Sequence, residues 1–302
     1  MRNEEKVVFE YTLRSRIKYN LRIFWKTLRK SPSALVGFLI IVTYIFMATL
    51  GPIIIKYDPT PKLSKRFLPP SFEHPLGTDY AGRDTLAQIV YGSRDVLSVA
   101  FLTAVISVTI AFLVGVTSGY IGGKLDAVFS TIIDVFLTIP GIPLLIIIAA
   151  TIRRALSPIE VAFVISFVSW AGLARALRSQ VLSIKRTEYI EVARCLGLST
   201  PKIIFNEILP NLMPYIAMNT VLSIIHSIYA QVGLYFLGIL PFTTLNWGMM
   251  INIAMFNQAA LVNPKGWYYL LAPIGAILLL QLGFILFLHA LEEIFNPRLR
   301  EY

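Results

Sequence analysis

Apolar residues run through this chain in six windows close to the 20 or so residues that a helix needs to cross a bilayer: Ala34 to Ile55, Val96 to Tyr120, Ala127 to Ile152, Pro158 to Leu177, Leu212 to Val232, and Trp267 to Leu288. The pattern predicts an all-α integral membrane protein with about six transmembrane helices. Polar and mixed stretches divide it into a tail over 1–33, a loop over 56–95, a core over 96–288 and a second tail over 289–302. Within the core lie a polar loop over 178–211 and a long, partly apolar connection over 233–266. The third window is interrupted by Asp134, Pro140 and Pro143. Proline removes backbone donors, so a break there must be satisfied by neighbouring helices or a water-filled cavity, which makes the segment a candidate pathway wall.

Composition sharpens the picture. Hydrophobic residues make up 56% and charged residues 15% of the sequence, and the mean hydropathy is +0.69, far above ordinary soluble usage. The net charge of +10 does not point to nucleic acid, because the basic residues flank apolar runs instead of gathering on one polar face. With the N-terminus inside, 18 of the 27 Lys and Arg fall in cytoplasmic segments. That asymmetry predicts a multi-pass protein of the cell (plasma or inner) membrane with both termini cytoplasmic. No apolar stretch precedes Ala34 and no small-residue cleavage site follows a short one, so the first span is expected to stay in the mature chain. Ile17, Leu21, Trp25 and Leu28 recur at helical spacing among Lys18, Arg22, Lys26, Arg29 and Lys30. This predicts an amphipathic elbow on the cytoplasmic leaflet, the alternative being a solvated basic tail. The single cysteine, Cys195, excludes an intrachain disulfide, and no Cys/His cluster has metal-ligand spacing.

The polar loop from Arg178 to Asn211 reads as two short helices around a glycine. Thr187 is placed to cap the first, with Glu188 and Glu191 in its first turn, where carboxylates suit the helix dipole. Gly197 is placed to end it in a left-handed cap, Thr200-Pro201 to start the second, and Pro210 and Pro214 to mark entry to the fifth span. A helix of about ten residues is marginal alone in water, so Tyr189, Val192, Ala193 and Leu196 are expected to pack. They could meet a partner or the ends of the chain's own helices; pattern leaves both open.

The run EYIEVARCLGLSTPKIIFNEILPN resembles the Glu-Ala-Ala motif of binding-protein-dependent ATP-binding-cassette importer permeases, with Glu191, Ala193, Gly197, Leu209 and Pro210 in register. Two positions depart from it: Val192 stands for the middle alanine, and Glu207 for a histidine or apolar residue. From His74 to Ala100, Gly77-Thr78-Asp79, Gly82-Arg83-Asp84 and Tyr91-Gly92 with Arg94 resemble the external segment of the C-type permease of dipeptide and oligopeptide importers. The match continues through Asp134, Pro140, Trp170, Arg175, Arg178, Phe236-Leu237-Gly238, Trp247-Gly248 and Asn296-Pro297-Arg298.

That resemblance implies a type I importer permease fold. It implies that Glu188, Tyr189, Glu191, Val192, Ala193, Leu196, Gly197, Leu209 and Pro210 belong to a loop gripped by an ATPase. The implied partners are a homologous second permease, two ATPase subunits that use ATP and Mg, and an extracytoplasmic substrate-binding protein. The chain itself is expected to be non-catalytic and to bind no cofactor, since Gly122-Gly123-Lys124 lacks the earlier glycine and the Ser or Thr of a P-loop. Di- or oligopeptides are the implied cargo. Relatives of the subfamily leave cello- or manno-oligosaccharides and nickel chelates as substrate alternatives.

Four residues inside spans are candidates for the translocation pathway. Asp134 is either functional or a carboxylate paired with a basic residue near the inner interface. Pro140 breaks its helix. His226 and Gln231 face the pore or, the preferred reading, bond helix to helix. Arg175 and Arg178 are expected to snorkel, and the external segment to form a turn-rich collar with internal Asp-to-Arg pairing. An ion-coupled secondary transporter using Asp134 is the rival class, against which no duplicated halves are evident. A membrane enzyme is a second rival, and no nucleophile-base pair is visible.

Overall fold

The computed structural model describes residue 28 and residues 31–152, 154–242, 244–257, 260 and 263–295. The elbow expected around Ile17, Leu21 and Trp25, and the Asn296-Pro297-Arg298 end, lie outside the described residues. Among these residues no strand forms; the only β feature is an isolated antiparallel bridge between Thr78 and Asp84. Among the described residues five helices are long and apolar enough to cross a bilayer, and one further pair, bent by 85°, passes the same test as a broken span or a re-entrant loop.

Helix α1 (Pro32–Thr49) opens with proline at its start, where a missing N–H costs nothing. It packs antiparallel to the last helix, α11 (Trp267–Phe295), and the Tyr44 hydroxyl donates to the Ala276 carbonyl at 2.8 Å. A one-turn helix α2 (Gly51–Ile54) leads into the collar. Helix α3 (Thr85–Ile121) starts eleven residues earlier than the apolar window suggested. The reason is a cap: the Asp84 carboxylate accepts from the Ala87 amide at 2.7 Å, so the Tyr91-Gly92 segment is helical and not part of a turn. At about 1.5 Å per residue α3 is roughly 55 Å long, so it crosses the membrane and still rises into the collar.

Helix α4 (Gly123–Thr138) turns back and breaks at Ile139-Pro140 into α5 (Gly141–Thr151). Helix α6 (Pro158–Ile184) begins with a full capping box between Ser157 and Glu160 and runs parallel to α3, its most extensive neighbour. The approach is close because Gly115 has no side chain: a Cβ there would sit 2.4 Å from the Ala174 carbonyl, the small-residue contact that brings membrane helices together. Helix α7 (Glu188–Cys195) follows.

The second short helix does not stand alone. Helix α8 (Thr200–Ile203) runs through a π turn (Ile204–Ile208) into α9 (Leu209–Phe236), so the chain is helical well before Pro210 and Pro214. Pro210 cannot donate to the carbonyl four residues back and crowds it; the wider turn just before it, where the Leu209 amide reaches the Ile204 carbonyl, absorbs that conflict. The connection to α11 contains helix α10 (Trp247–Asn252). Two apolar clusters result. One fills the collar half around Val96, Ile165, Ile228, Trp247 and Tyr269. The other fills the α7 half around Tyr120, Leu177, Ile190 and Leu212.

Candidate functional site

Helix α7 is short, but it is held firmly on one side. Ile190 is fully buried and Ala193 nearly so, and both belong to the same apolar cluster as Tyr120 of α3, Leu177 of α6 and Leu212 of α9. The Arg194 guanidinium lies over the Tyr120 ring, 5.3 Å from its centroid, and Asn211 of α9 donates to the Tyr189 hydroxyl at 3.3 Å. The helix ends in a Schellman motif: the Gly197 amide bonds the Arg194 carbonyl and the Leu198 amide the Ala193 carbonyl, with Gly197 at φ 71°. Both expected caps shift. Thr187 occupies the N-cap position, yet its hydroxyl donates backward to Ile184 and caps nothing; the second helix is capped in position by Ser199, with Thr200 already inside it.

The other side of α7 is bare. Tyr189 is 42%, Val192 56% and Leu196 73% exposed. The four residues expected to pack therefore divide, with Ala193 turned into the chain and three apolar side chains turned away. Leu209 and Pro210 stand at the junction of the π turn and α9, where they fix the entry of the helix.

Arg175 and Arg178, expected to snorkel, instead hold α6 to α4. Arg178 makes a bidentate pair with Asp126, at 2.6 and 2.7 Å, and Ser118 of α3 adds a third bond to the same carboxylate at 2.6 Å. Arg175 pairs with Asp134. Three helices thus meet at Asp126, whereas the Asp134 pair lies more than half exposed. These pairs matter because α4 has little else: Ile133 is its buried residue, and Phe136 adds ring contacts to Phe167 and Trp170 of α6 at 5.1 and 5.2 Å. The second acid of this arrangement, Asp126, was not among the candidates read from the sequence, since its partner Arg178 lies 52 positions away.

Pro140 does break its helix, and the 85° bend leaves a cavity of about 410 Å³ walled by α3, α5, α6 and α9. His226 lines it and is exposed. Gln231 does not line it. It is fully buried, donates to the Val96 carbonyl at 2.8 Å, and meets Asn246 in a network that reaches Asp95. That is the helix-to-helix reading, and it removes Gln231 from the cavity wall.

At the opposite end the collar is closed by its own hydrogen bonds. Asp79, fully buried, accepts from the amides of Ala81 and Arg83 at 2.8 and 2.9 Å and from the Arg83 side chain at 2.7 Å. Gln88 of α3 donates to Asp79 at 3.1 Å and accepts from Tyr269 of α11 at 2.7 Å. The expected Asp-to-Arg pairing is present. Burial works against the Arg83 charge, but the adjacent Asp79 carboxylate outweighs it and holds the guanidinium's pKa above its usual value.

The family model described as "Binding-protein-dependent transport system inner membrane component" matches residues 108–301, and one described as "N-terminal TM domain of oligopeptide transport permease C" matches residues 20–70. The dipeptide transport system permease protein DppC of Bacillus subtilis (strain 168) is 32% identical over 91% of this chain and 85% of its own length. The oligopeptide transport system permease protein OppC of the same organism is 31% identical over 90% of this chain and 88% of its own. The probable D,D-dipeptide transport system permease protein DdpC of Escherichia coli (strain K12) is 30% identical over 92% and 91%. Among solved structures, the inward-facing MetNI methionine ABC transporter has a chain that superposes with a TM-score of 0.53 at 19% identity, over 68% of this chain and 96% of that one. The fold is that of a type I importer permease.

Proposed function

Because the chain belongs to the family of binding-protein-dependent transport system inner membrane components, we propose that it forms half of the passage of an ATP-driven importer of di- or oligopeptides, driven through α7. A homologous second permease supplies the other half. Two ATPase subunits, using ATP and Mg, grip the loop from Glu188 to Gly197 on the cytoplasmic side, where both termini also lie. A substrate-binding protein delivers cargo at the collar.

The observation that carries this reading is the two-sided character of α7. Its inner face shares one packed cluster with α3, α6 and α9, while Tyr189, Val192 and Leu196 stay bare. Apolar side chains on a helix of eight residues gain by being covered, and interiors packed at crystal density transmit displacement instead of absorbing it. A push on α7 reaches α6 across the three-residue link Lys185 to Thr187. From α6 the Arg178–Asp126 and Arg175–Asp134 pairs carry it to α4 and so to the bend. Alternating access then follows from tilting α4, α5 and α6 together.

The test is a crosslink. Cysteine introduced at Val192 or Leu196 is expected to join a co-expressed ATPase subunit in membranes, with ATP-dependent uptake in vesicles. A loop that labels freely and crosslinks to nothing, or uptake that runs on an ion gradient without ATP, rejects the reading.

A further inference from the structure

The cavity at the bend contains two polar atoms that the chain itself does not use. Thr103 of α3 and Ser227 of α9 are each 1% exposed, both line the cavity, and neither hydroxyl oxygen has a hydrogen-bond partner. They are set deep: Thr103 is at the middle of α3 (Thr85–Ile121). Leaving a buried hydroxyl unpaired costs about 1–3 kcal/mol, and in the hydrocarbon region there is no bulk water to relieve it. By contrast, Ser166, next to the cavity-lining Ile165 on α6, donates to the Ala162 carbonyl at 2.6 Å. Satisfying a hydroxyl within its own helix is therefore available here, and Thr103 and Ser227 do not take it.

A second feature faces the same space. Gly141 and Ile142, the first residues of α5, line the cavity, and the N-cap residue before them is Pro140, which has no side-chain acceptor to offer. The opening amides of a helix have no intrahelical carbonyl, and the helix dipole gives that end a partial positive charge. His226 adds a ring nitrogen at the wall, and none of the lining residues is Asp, Glu, Lys or Arg. The residues that line the cavity thus carry uncharged donors on three helices, beside the point where a span is broken. An acyl chain or an apolar side chain would leave these donors unpaired. An ammonium group would find no carboxylate.

We propose that this cavity is a way station for the solute in transit, where a carboxylate or carbonyl oxygen of the solute accepts hydrogen bonds from Thr103, Ser227 and the N-terminus of α5. The inference rests on the importer reading above and names the chemistry its passage selects. The absence of a side chain at Gly141 belongs to the same design. A Cβ there would already meet Val168 at 3.4 Å, so a larger side chain would fill the space the solute needs.

The test uses the assembled transporter in membrane vesicles. Thr103→Cys and Ser227→Cys are treated with a small anionic methanethiosulfonate, and labelling of the peptide carrying each position is read by mass spectrometry. The parent chain, whose only cysteine is Cys195, sets the background, and Ser166→Cys is the control at a hydroxyl that the chain itself bonds and that does not line this cavity. Labelling is expected at 103 and 227 and not at 166. It should slow at least severalfold with trialanine supplied through the binding protein. Equal protection by trialanine and its C-terminal amide places a carbonyl at the site; protection by the free acid alone places the carboxylate. Protection by neither overturns the proposal, as does failure to label in vesicles that still take up trialanine, since a partner helix or lipid then fills the space. That last result leaves the importer reading standing. Gly141→Leu provides the independent arm: uptake is expected to fall at least tenfold in a complex that still assembles and hydrolyses ATP, and normal uptake counts against the site.

Discussion

The two ends of this molecule satisfy their side chains by opposite means. At the collar, Asp79, Arg83, Gln88 and Tyr269 bond one another across the loop, α3 and α11, and Asp95, Asn246 and Gln231 do the same between α3, the last connection and α9. The chain closes these networks alone. At the α7 end it closes only the inner half, burying Ile190 and Ala193 and leaving Tyr189, Val192 and Leu196 uncovered. A buried polar network must be complete within the fold, because an unpaired group in a low dielectric is costly. An exposed apolar face can wait for a partner at much smaller cost. The difference separates an end that the chain completes by itself from an end that it leaves half-covered.

Mutations that probe the comparison should rank in opposite orders for stability and for transport. The largest loss of stability is expected for Asp79→Ala, which leaves the largely buried Arg83 charge without its partner, a class of change that costs about 3–5 kcal/mol. Thermal unfolding of the solubilised chain should report it; an unchanged midpoint would show that the collar network is not holding that end. Next comes Arg178→Ala at about 1.5–3 kcal/mol, the range for hydrogen bonds to charged groups, because Asp126 loses a bidentate partner that is itself mostly buried. The charge-swapped pair Arg178→Asp with Asp126→Arg should recover part of both stability and uptake.

Arg175→Ala follows at about 0–1 kcal/mol, since its pair with Asp134 is more than half exposed. Uptake should nevertheless drop relative to ATP hydrolysis if this pair makes α4 follow α6, and an unchanged ratio would confine the mechanical link to Asp126. Gly197→Leu ranks between Arg178→Ala and Arg175→Ala for stability, with about 1–2 kcal/mol of left-handed backbone strain and open space around its Cβ position. It should abolish uptake while the complex still assembles. The smallest effect on the fold, within about 0.5 kcal/mol, belongs to Leu196→Asp, which should still cost co-purification with the ATPase.

The membrane class, the long apolar spans and the α7 helix with its glycine stop were legible because each rests on local physics: span length, a positive-φ position, the chemistry of proline. As a motif, the run from Glu188 to Pro210 was singled out by resemblance alone. Helix ends were less so. Asp84 extends α3 into a segment read as collar, and the second short helix begins one residue earlier than Thr200-Pro201 suggested, with Ser199 at the N-cap position and no side-chain cap bond. The partners of Arg175 and Arg178 were not legible, because Asp126 and Asp134 lie some 40 to 50 positions away.

The sequence by itself determined that this chain lives in a bilayer, where it breaks, and which short helix hangs between spans, because hydropathy and backbone propensity are written residue by residue. Only the tertiary structure decided that Gln231 is sealed in a network while His226 remains at a cavity, that Ala193 turns inward while Val192 turns out, and that Thr103 and Ser227 line that cavity with their hydroxyls unpaired. Those outcomes depend on which faces of distant helices come together, and half a turn of rotation about a helix axis, which no local pattern fixes, is enough to exchange a wall for a core.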